Sequence, residues 1–297
     1  MKYFRITLLA VFAAFLITSC GGNKKQETQT DDTFDLDSYI KAAEAVDPTL
    51  SKVDQIFKIL DMVNAEYYDV LTNDPYSAHN YKYNYPVAAA NLGVYVTDII
   101  YHYYGDATES MYLSFSAAQE LASHLGLESE FASWTIEKLE GTAVQRDTIA
   151  KLFNTLLADS EKYTNEQERV FVHTAFLAGS FIEKVYISGS ILKQKLSGTN
   201  LSKEQDSDIR ELLIIYLNQL NPATGVLHDA FNRQQDQLQT LVTITTFERL
   251  EVLSEKLKEV KPELIASSIS DIASNADLNA TFDLVANLRN VVVNASE

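Results

Sequence analysis

Residues 86–104, PVAAANLGVYVTDIIYHYY, and residues 171–187, FVHTAFLAGSFIEKVYI, decide the fold. Both are apolar on nearly every side when wound as a helix, and neither alternates with the period of two that a strand requires. A helix that is apolar all round must be covered all round, so each reads as a central, surrounded helix. Offset by 85 residues, the two match at Leu92/Leu177, Asp98/Glu183 and Tyr101/Tyr186, with small residues in between. That is a faint internal repeat of the helical-hairpin kind. Asn91, Asp98 and His102 in the middle of the first stretch argue against its being a membrane span.

The flanking signals are helical too. Ten Gly and five Pro in 297 residues are low counts, and few turns at this length favour helices. Asp47-Pro48, Tyr85-Pro86 and Lys261-Pro262 look like the cap and first position of a helix, where a missing N–H costs nothing. Gly105, Gly126, Gly141 and Gly198 follow apolar-periodic runs and suit the left-handed residue after a helix. Thr164-Asn165-Glu166-Gln167 and Ser202-Lys203-Glu204-Gln205 have the form of capping boxes. Apolar stripes at spacings of three and four include Ile56, Ile59, Leu60, Val63 and Tyr67, and again Ile209, Leu212, Leu213, Tyr216, Leu217 and Leu220. The spacing predicts helices over 36–46, 49–71, 86–104, 107–125, 129–140, 146–163, 165–196, 203–220, 228–260 and 263–293, the last broken near Asn275.

Asn91-Leu92-Gly93, then Gly105-Asp106, then Ala117-Ala118 in the partner helix, resembles a tetratricopeptide (TPR) hairpin, in which Gly and Ala let two antiparallel helices approach closely. The first helix is several residues too long for that repeat of about 34. The expected architecture is all-α: a single bundle of TPR-like helical hairpins.

The N-terminus, MKYFRITLLAVFAAFLITSC, speaks to location. Lys2 and Arg5 precede an apolar run from Ile6 to Ile17, short for a span of about 20 residues and right for a signal-peptide core. Ile17-Thr18-Ser19-Cys20 resembles the bacterial lipobox, an aliphatic residue and two small ones before the cysteine. The small side chains admit a peptidase, and the Cys20 thiol takes a diacylglycerol. Acyl chains such as palmitate then hold the protein on the membrane, each buried CH₂ adding roughly 0.8 kcal/mol. Cys20 is the only cysteine, which excludes a disulfide scaffold, a cysteine zinc site and a dithiol centre. Residues 1–19 are thus expected to be a lipoprotein signal peptide. Residues 20–34 form the lipidated cysteine and a polar tether, and 35–297 a single all-α domain.

The chain carries 24 Lys and Arg against 41 Asp and Glu, a formal charge of −17. Loss of the signal peptide removes two basic residues and takes this to −19. Nucleic-acid binding needs the opposite surplus, so no nucleic-acid partner is expected. The combination also resembles a group of uncharacterised all-helical lipoproteins from Bacteroidetes-type bacteria. The resemblance is carried by the lipobox, Asn91-Leu92-Gly93-Val94-Tyr95 with Asp98, Phe181-Ile182-Glu183-Lys184-Val185-Tyr186, and Leu288-Arg289-Asn290-Val291-Val292. It implies the helical fold and the anchor and no activity. Gly21-Gly22-Asn23-Lys24-Lys25 after the cysteine lacks the acidic cluster that resembles a surface-export signal in such bacteria. The expected place is therefore the outer membrane, facing the periplasm.

Few constellations could carry chemistry. The five histidines, His79, His102, His124, His173 and His228, never fall within one helical turn of each other, and H-E-x-x-H is absent. Asp98 and His102 share a helical face at i, i+4, and Glu183 on the other apolar helix is a third candidate group. Together they could hold an ion or work as a hydrolytic site. The plainer reading is a structural pair satisfying polar groups in a central helix. G-x-S-x-G, G-x-G-x-x-G and G-K-[ST] are absent, and Ser38–Lys41 and Ser190–Lys193 match S-x-x-K without a K-T-G partner. No catalytic residue, metal or cofactor is assigned. Tyrosine is the compositional anomaly: 11 of 16 lie between Tyr67 and Tyr112. Tyr76, Tyr81, Tyr83 and Tyr85 stand in the loop before Pro86, which is long for a connection between packed helices. Tyrosines suit a protein or glycan interface, and they also suit a loop folded over its own helices. The leading expectation is a non-catalytic binding or scaffold module contacting its ligand through Tyr76, Tyr81, Tyr83, Tyr85 and the Asp98 helix. A metal-dependent or hydrolytic enzyme using Asp98, His102 and Glu183 is the alternative, and a purely structural envelope protein the third.

Overall fold

The computed structural model describes residues 60, 64–131, 146–198, 201–234, 236–237 and 241–295, all within the compact unit Asp37–Glu297. The expected signal peptide and tether with Cys20, the helix expected over 36–46, most of the part before Asn64 of that expected over 49–71, and the expected helix 129–140 beyond Phe131 with Gly141 lie outside the described residues.

Every regular element among the described residues is helical. Asn84 accepts the Val87 N–H to open α1 (Tyr85–Tyr104), with Pro86 in its first turn. Gly105, at φ −82°, is not the expected left-handed residue: Asp106, at φ 51°, reverses the chain into α2 (Thr108–Leu125), and left-handed Gly126 at φ 74° closes that helix. A short α3 (Glu128–Phe131) follows, then α4 (Arg146–Glu166), α5 (Val170–Leu196) and α6 (Lys203–Arg233). The Ser202 capping box forms as expected. The chain ends through α7 (Leu241–Glu259), a 3₁₀ turn at Pro262–Ala266, α8 (Ile269–Ser274) and α9 (Ala276–Val293). The break at Asn275 is present, and Asn275 caps α9 by accepting the Leu278 N–H.

α1 and α5 are the central helices. Sixteen of the 20 residues of α1 are buried, and the most apolar 18-residue window of α5 is 78% buried. By length and composition α5 could cross a membrane; in this fold it is a core helix. α1 packs on α2 as the expected hairpin, with Leu92, Val96, Ile99, Met111, Phe115, Ala118 and Leu121 in one core cluster. Its closest partner is instead α5. A Cβ on Gly93 would stand 2.1 Å from the Phe176 carbonyl oxygen, and one on Gly179 only 1.8 Å from the Ala90 carbonyl oxygen. The glycine of Asn91-Leu92-Gly93 therefore serves the α1–α5 crossing rather than a TPR-type contact with α2. A second core cluster fills the space where α5, α6, α7 and α9 meet, through Ile182, Val185, Leu213, Tyr216, Leu253, Val285 and Leu288.

Three boundaries differ from the sequence pattern. The expectation of helix up to residue 71 fails from Asn64 on, where φ is 44° and the Ala65 N–H bonds back to Leu60 O. Tyr67 and Tyr68 leave the helical stripe to pack on α1. The Thr164 box is not a cap, because Thr164 Oγ1 donates backward to Ser160 O within α4 and the chain turns at Glu168, φ 54°. Asn221-Pro222 does not interrupt α6, where Leu220, Ala223, Leu227 and Phe231 continue the buried stripe past the proline. Burial of four apolar side chains outweighs the roughly 3 kcal/mol that a mid-helix proline costs. The break falls after Arg233 instead, in the polar run QQDQLQT.

Candidate functional site

Asp98 lies on α1 and Glu183 on α5, both fully buried where the two helices meet the core. What makes that tolerable comes from a third helix. Arg289 of α9 donates from Nε to Glu183 Oε2 and from Nη2 to Glu183 Oε1, each at 3.0 Å, a bidentate pair. Burial opposes the arginine's charge, but the Glu183 carboxylate outweighs it and raises the Arg289 pKa. The guanidinium also stacks 4.8 Å from the Tyr186 ring centroid. Asp98 Oδ2 accepts the Asn73 N–H at 3.0 Å, while Oδ1 has no hydrogen-bond partner among the described residues. Burial first, and then the Glu183 charge, push the Asp98 pKa well above the ordinary carboxylate value. Arg289 and the Glu183 carboxylate compensate each other's charge, and the raised pKa favours the uncharged form of Asp98.

His102 does not join them. It sits one turn along α1, 2% exposed, and its partners are different. Nδ1 is 2.7 Å from Tyr67 Oη and Nε2 is 3.0 Å from Ser114 Oγ on α2. Tyr67 donates to Asp69 Oδ1 at 2.6 Å. With that proton spent, the consistent tautomer carries hydrogen on Nδ1, donates to Tyr67 Oη and accepts from Ser114. Burial lowers the His102 pKa to about 4, so the ring is neutral at pH 7. The order Ser–His–Tyr–Asp has the form of a proton relay, yet Ser114 is fully buried and cannot meet a substrate. Asp98, His102 and Glu183 thus form two separate buried networks, and among the described residues no cluster of metal-ligating side chains occurs.

The tyrosine-rich segment divides by exposure. Tyr81 is 1% exposed and belongs to the core: it packs on Tyr95, accepts from Asn73 Nδ2 and donates to Val293 O at 2.7 Å. Tyr68 N–H bonds Tyr101 Oη and Tyr95 Oη bonds Asp74 O, so the segment is laced to α1 along its length. Tyr76, Tyr83 and Tyr85 remain on the surface, at 71%, 38% and 47% exposure. Tyr85 lies beside His124 and under the Arg169 guanidinium.

Tyr81 and Tyr83 line a cleft of about 610 Å³ between the 3₁₀ turn Pro75–Tyr81 and the end of α9, together with His79, Asn80 and Asn294. That volume lies within the range of ligand pockets. Arg289 and Asn73 are the residues that local pattern reading could not tie to this centre. The only signal was that a buried carboxylate pair must find a cation somewhere. No family model matches the chain, and no curated protein or solved structure is significantly similar to it.

Proposed function

We propose that the protein is a non-catalytic binding module of the bacterial cell envelope, held through Cys20 on the outer membrane and facing the periplasm. Its contact face is the cleft beside Tyr83, with Tyr76 and Tyr85 on the neighbouring surface, and its partner is a protein or a glycan. One observation carries the reading. Glu183 with Arg289, and His102 with Ser114, are enclosed in the fold, whereas exposed aromatic surface collects beside an open cleft. Flat rings with hydroxyl tips at a concave rim suit peptide or sugar faces.

The test is photocrosslinking in intact cells. A photoreactive residue at Tyr83 is expected to yield one discrete adduct, and a control probe at exposed Val252 none. Identical adduct patterns at both positions would remove the binding face. Mass spectrometry of the purified protein reads the anchor separately, with a diacylglyceryl Cys20 as the new N-terminus expected and an unprocessed chain with a free thiol against it.

A further inference from the structure

A second, smaller cavity of about 220 Å³ lies where α5, α6 and α9 meet, lined by residues of none of the tyrosine-cleft elements except α9. It is lined in part by Tyr216, a fully buried residue of α6 whose hydroxyl has no hydrogen-bond partner among the described residues. A buried phenol without an acceptor is rare in folded proteins, because desolvation of the O–H then goes uncompensated. Burial drives the Tyr216 pKa far upward, so the group stays a neutral donor at any physiological pH. Space beside it exists because residue 189 has no side chain: a Cβ there would stand 2.6 Å from Tyr216 Oη.

The remaining walls are mixed: Phe282, Val285 and Ala286 supply apolar surface, and Ser190, Lys193 and Asp283 supply polar groups. Phe282 packs 5.6 Å from the Tyr216 ring, and Tyr186 and Val285 face the same space. A water needs two to four polar partners, and besides the phenol the lining carries Ser190 and Tyr186, so an ordered water is the competing occupant. Charge is confined to an exposed residue pair in the lining, where Lys193 Nζ meets Asp283 Oδ1 at 2.9 Å. The two neutralise each other, so a buried ion would find no counter-charge inside. The volume is below the roughly 300 Å³ of the smallest drug-sized pockets and suits a single ring or a short chain.

We propose that this cavity binds a small neutral molecule with an apolar body and one carbonyl-type acceptor, which takes the hydrogen bond of the Tyr216 hydroxyl. The proposal goes beyond the tyrosine cleft and stands whether or not that face binds a partner. Acetophenone and ethylbenzene are suitable probes, since they share a ring and differ in the carbonyl. In ligand-observed NMR titrations of the full chain, acetophenone is expected to bind about tenfold more tightly than ethylbenzene. Tyr216→Phe should erase that preference and keep ethylbenzene binding, because only the hydroxyl is lost. Gly189→Ala should weaken both probes by narrowing the cavity. Should Gly189→Ala fail to fold, Tyr216→Phe alone decides. Equal affinities in the natural chain, a preference that survives Tyr216→Phe, or no binding of either probe (an ordered water only) would each overturn the proposal.

Discussion

α1 and α5 meet at two levels, about 7.5 Å apart along α1, and the two contacts are opposite in kind. At Gly93 and Gly179 the backbones touch with no side chain between them. Five residues further along α1, at Asp98, the same pair of helices buries two carboxyl groups with the cation of α9. The first contact is dry and local: two helices suffice to complete it, and dispersion between closely packed backbone atoms supplies its energy. The second cannot be completed by the pair alone. Without Arg289, α1 and α5 would bring the Glu183 carboxylate and the Asp98 carboxyl into a medium that leaves the charge uncompensated. Shape brings the helices together at one level, and at the other charge specifies which third helix must join them.

The dry level is the more fragile to a single atom. Gly179→Ala would put a methyl 1.8 Å from Ala90 O, a backbone atom with no rotamer to yield. Overpacking usually costs about 1–3 kcal/mol where side chains can shift. Here two central helices must separate, so a loss above about 4 kcal/mol, or no cooperative unfolding transition at all, is expected in chemical denaturation. A folded Gly179→Ala protein within about 1 kcal/mol of the natural chain would show that the crossing is looser than its contacts imply.

The charged level should respond nearly as strongly, and asymmetrically. Arg289→Met leaves Glu183 buried without its counter-ion beside Asp98, and such uncompensated charges cost on the order of 3–5 kcal/mol. Adding Glu183→Gln to Arg289→Met should restore most of the loss, because the offending charge goes with it. A double variant as unstable as Arg289→Met alone would mean that packing of the arginine stem, and not its charge, carries the effect.

Legibility in the sequence follows the same division. The two all-round apolar stretches, the Ser202 box, the Asn275 break and the turn at Gly126 are local in cause, and they appear where the pattern puts them. The errors arise where tertiary packing overrides a local cue. Pro222 stays inside α6 because the stripe around it is buried, and Tyr67 leaves its helical stripe to reach His102. For the candidate site, i, i+4 spacing suggested a common role for Asp98 and His102, yet the first bonds the segment at Asn73 and the second bonds Tyr67 and Ser114. Spacing places two side chains on one face but says nothing of what covers each part of it. Arg289, 106 residues from Glu183, has no local signature tying it to the pair.

The smallest expected effect, measured per pH unit, isolates Asp98. Its native pKa is raised by burial and by Glu183, with Arg289 opposing, so the folded state holds a proton that the unfolded chain releases above about pH 4. Where the native state binds more protons, stability falls as pH rises. The contribution is therefore fully present below the ordinary carboxylate value and is lost as pH climbs through the raised one. Asp98→Asn keeps the shape of the protonated acid, its carbonyl can still accept from Asn73 N–H, and it has no proton to lose. The variant is expected to fold and to be at least as stable as the natural chain at pH 7. Its advantage should widen by up to about 1.4 kcal/mol for each unit of rising pH until the natural residue ionises in the native state. Taking the difference between the two proteins cancels the opposite, acid-side slope from His102 and His173, whose pKa values burial lowers to about 4. Parallel stability curves from pH 5 to 8 would mean that Asp98 is already ionised in the fold. The charge of Arg289 would then be shared by two carboxylates rather than committed to Glu183.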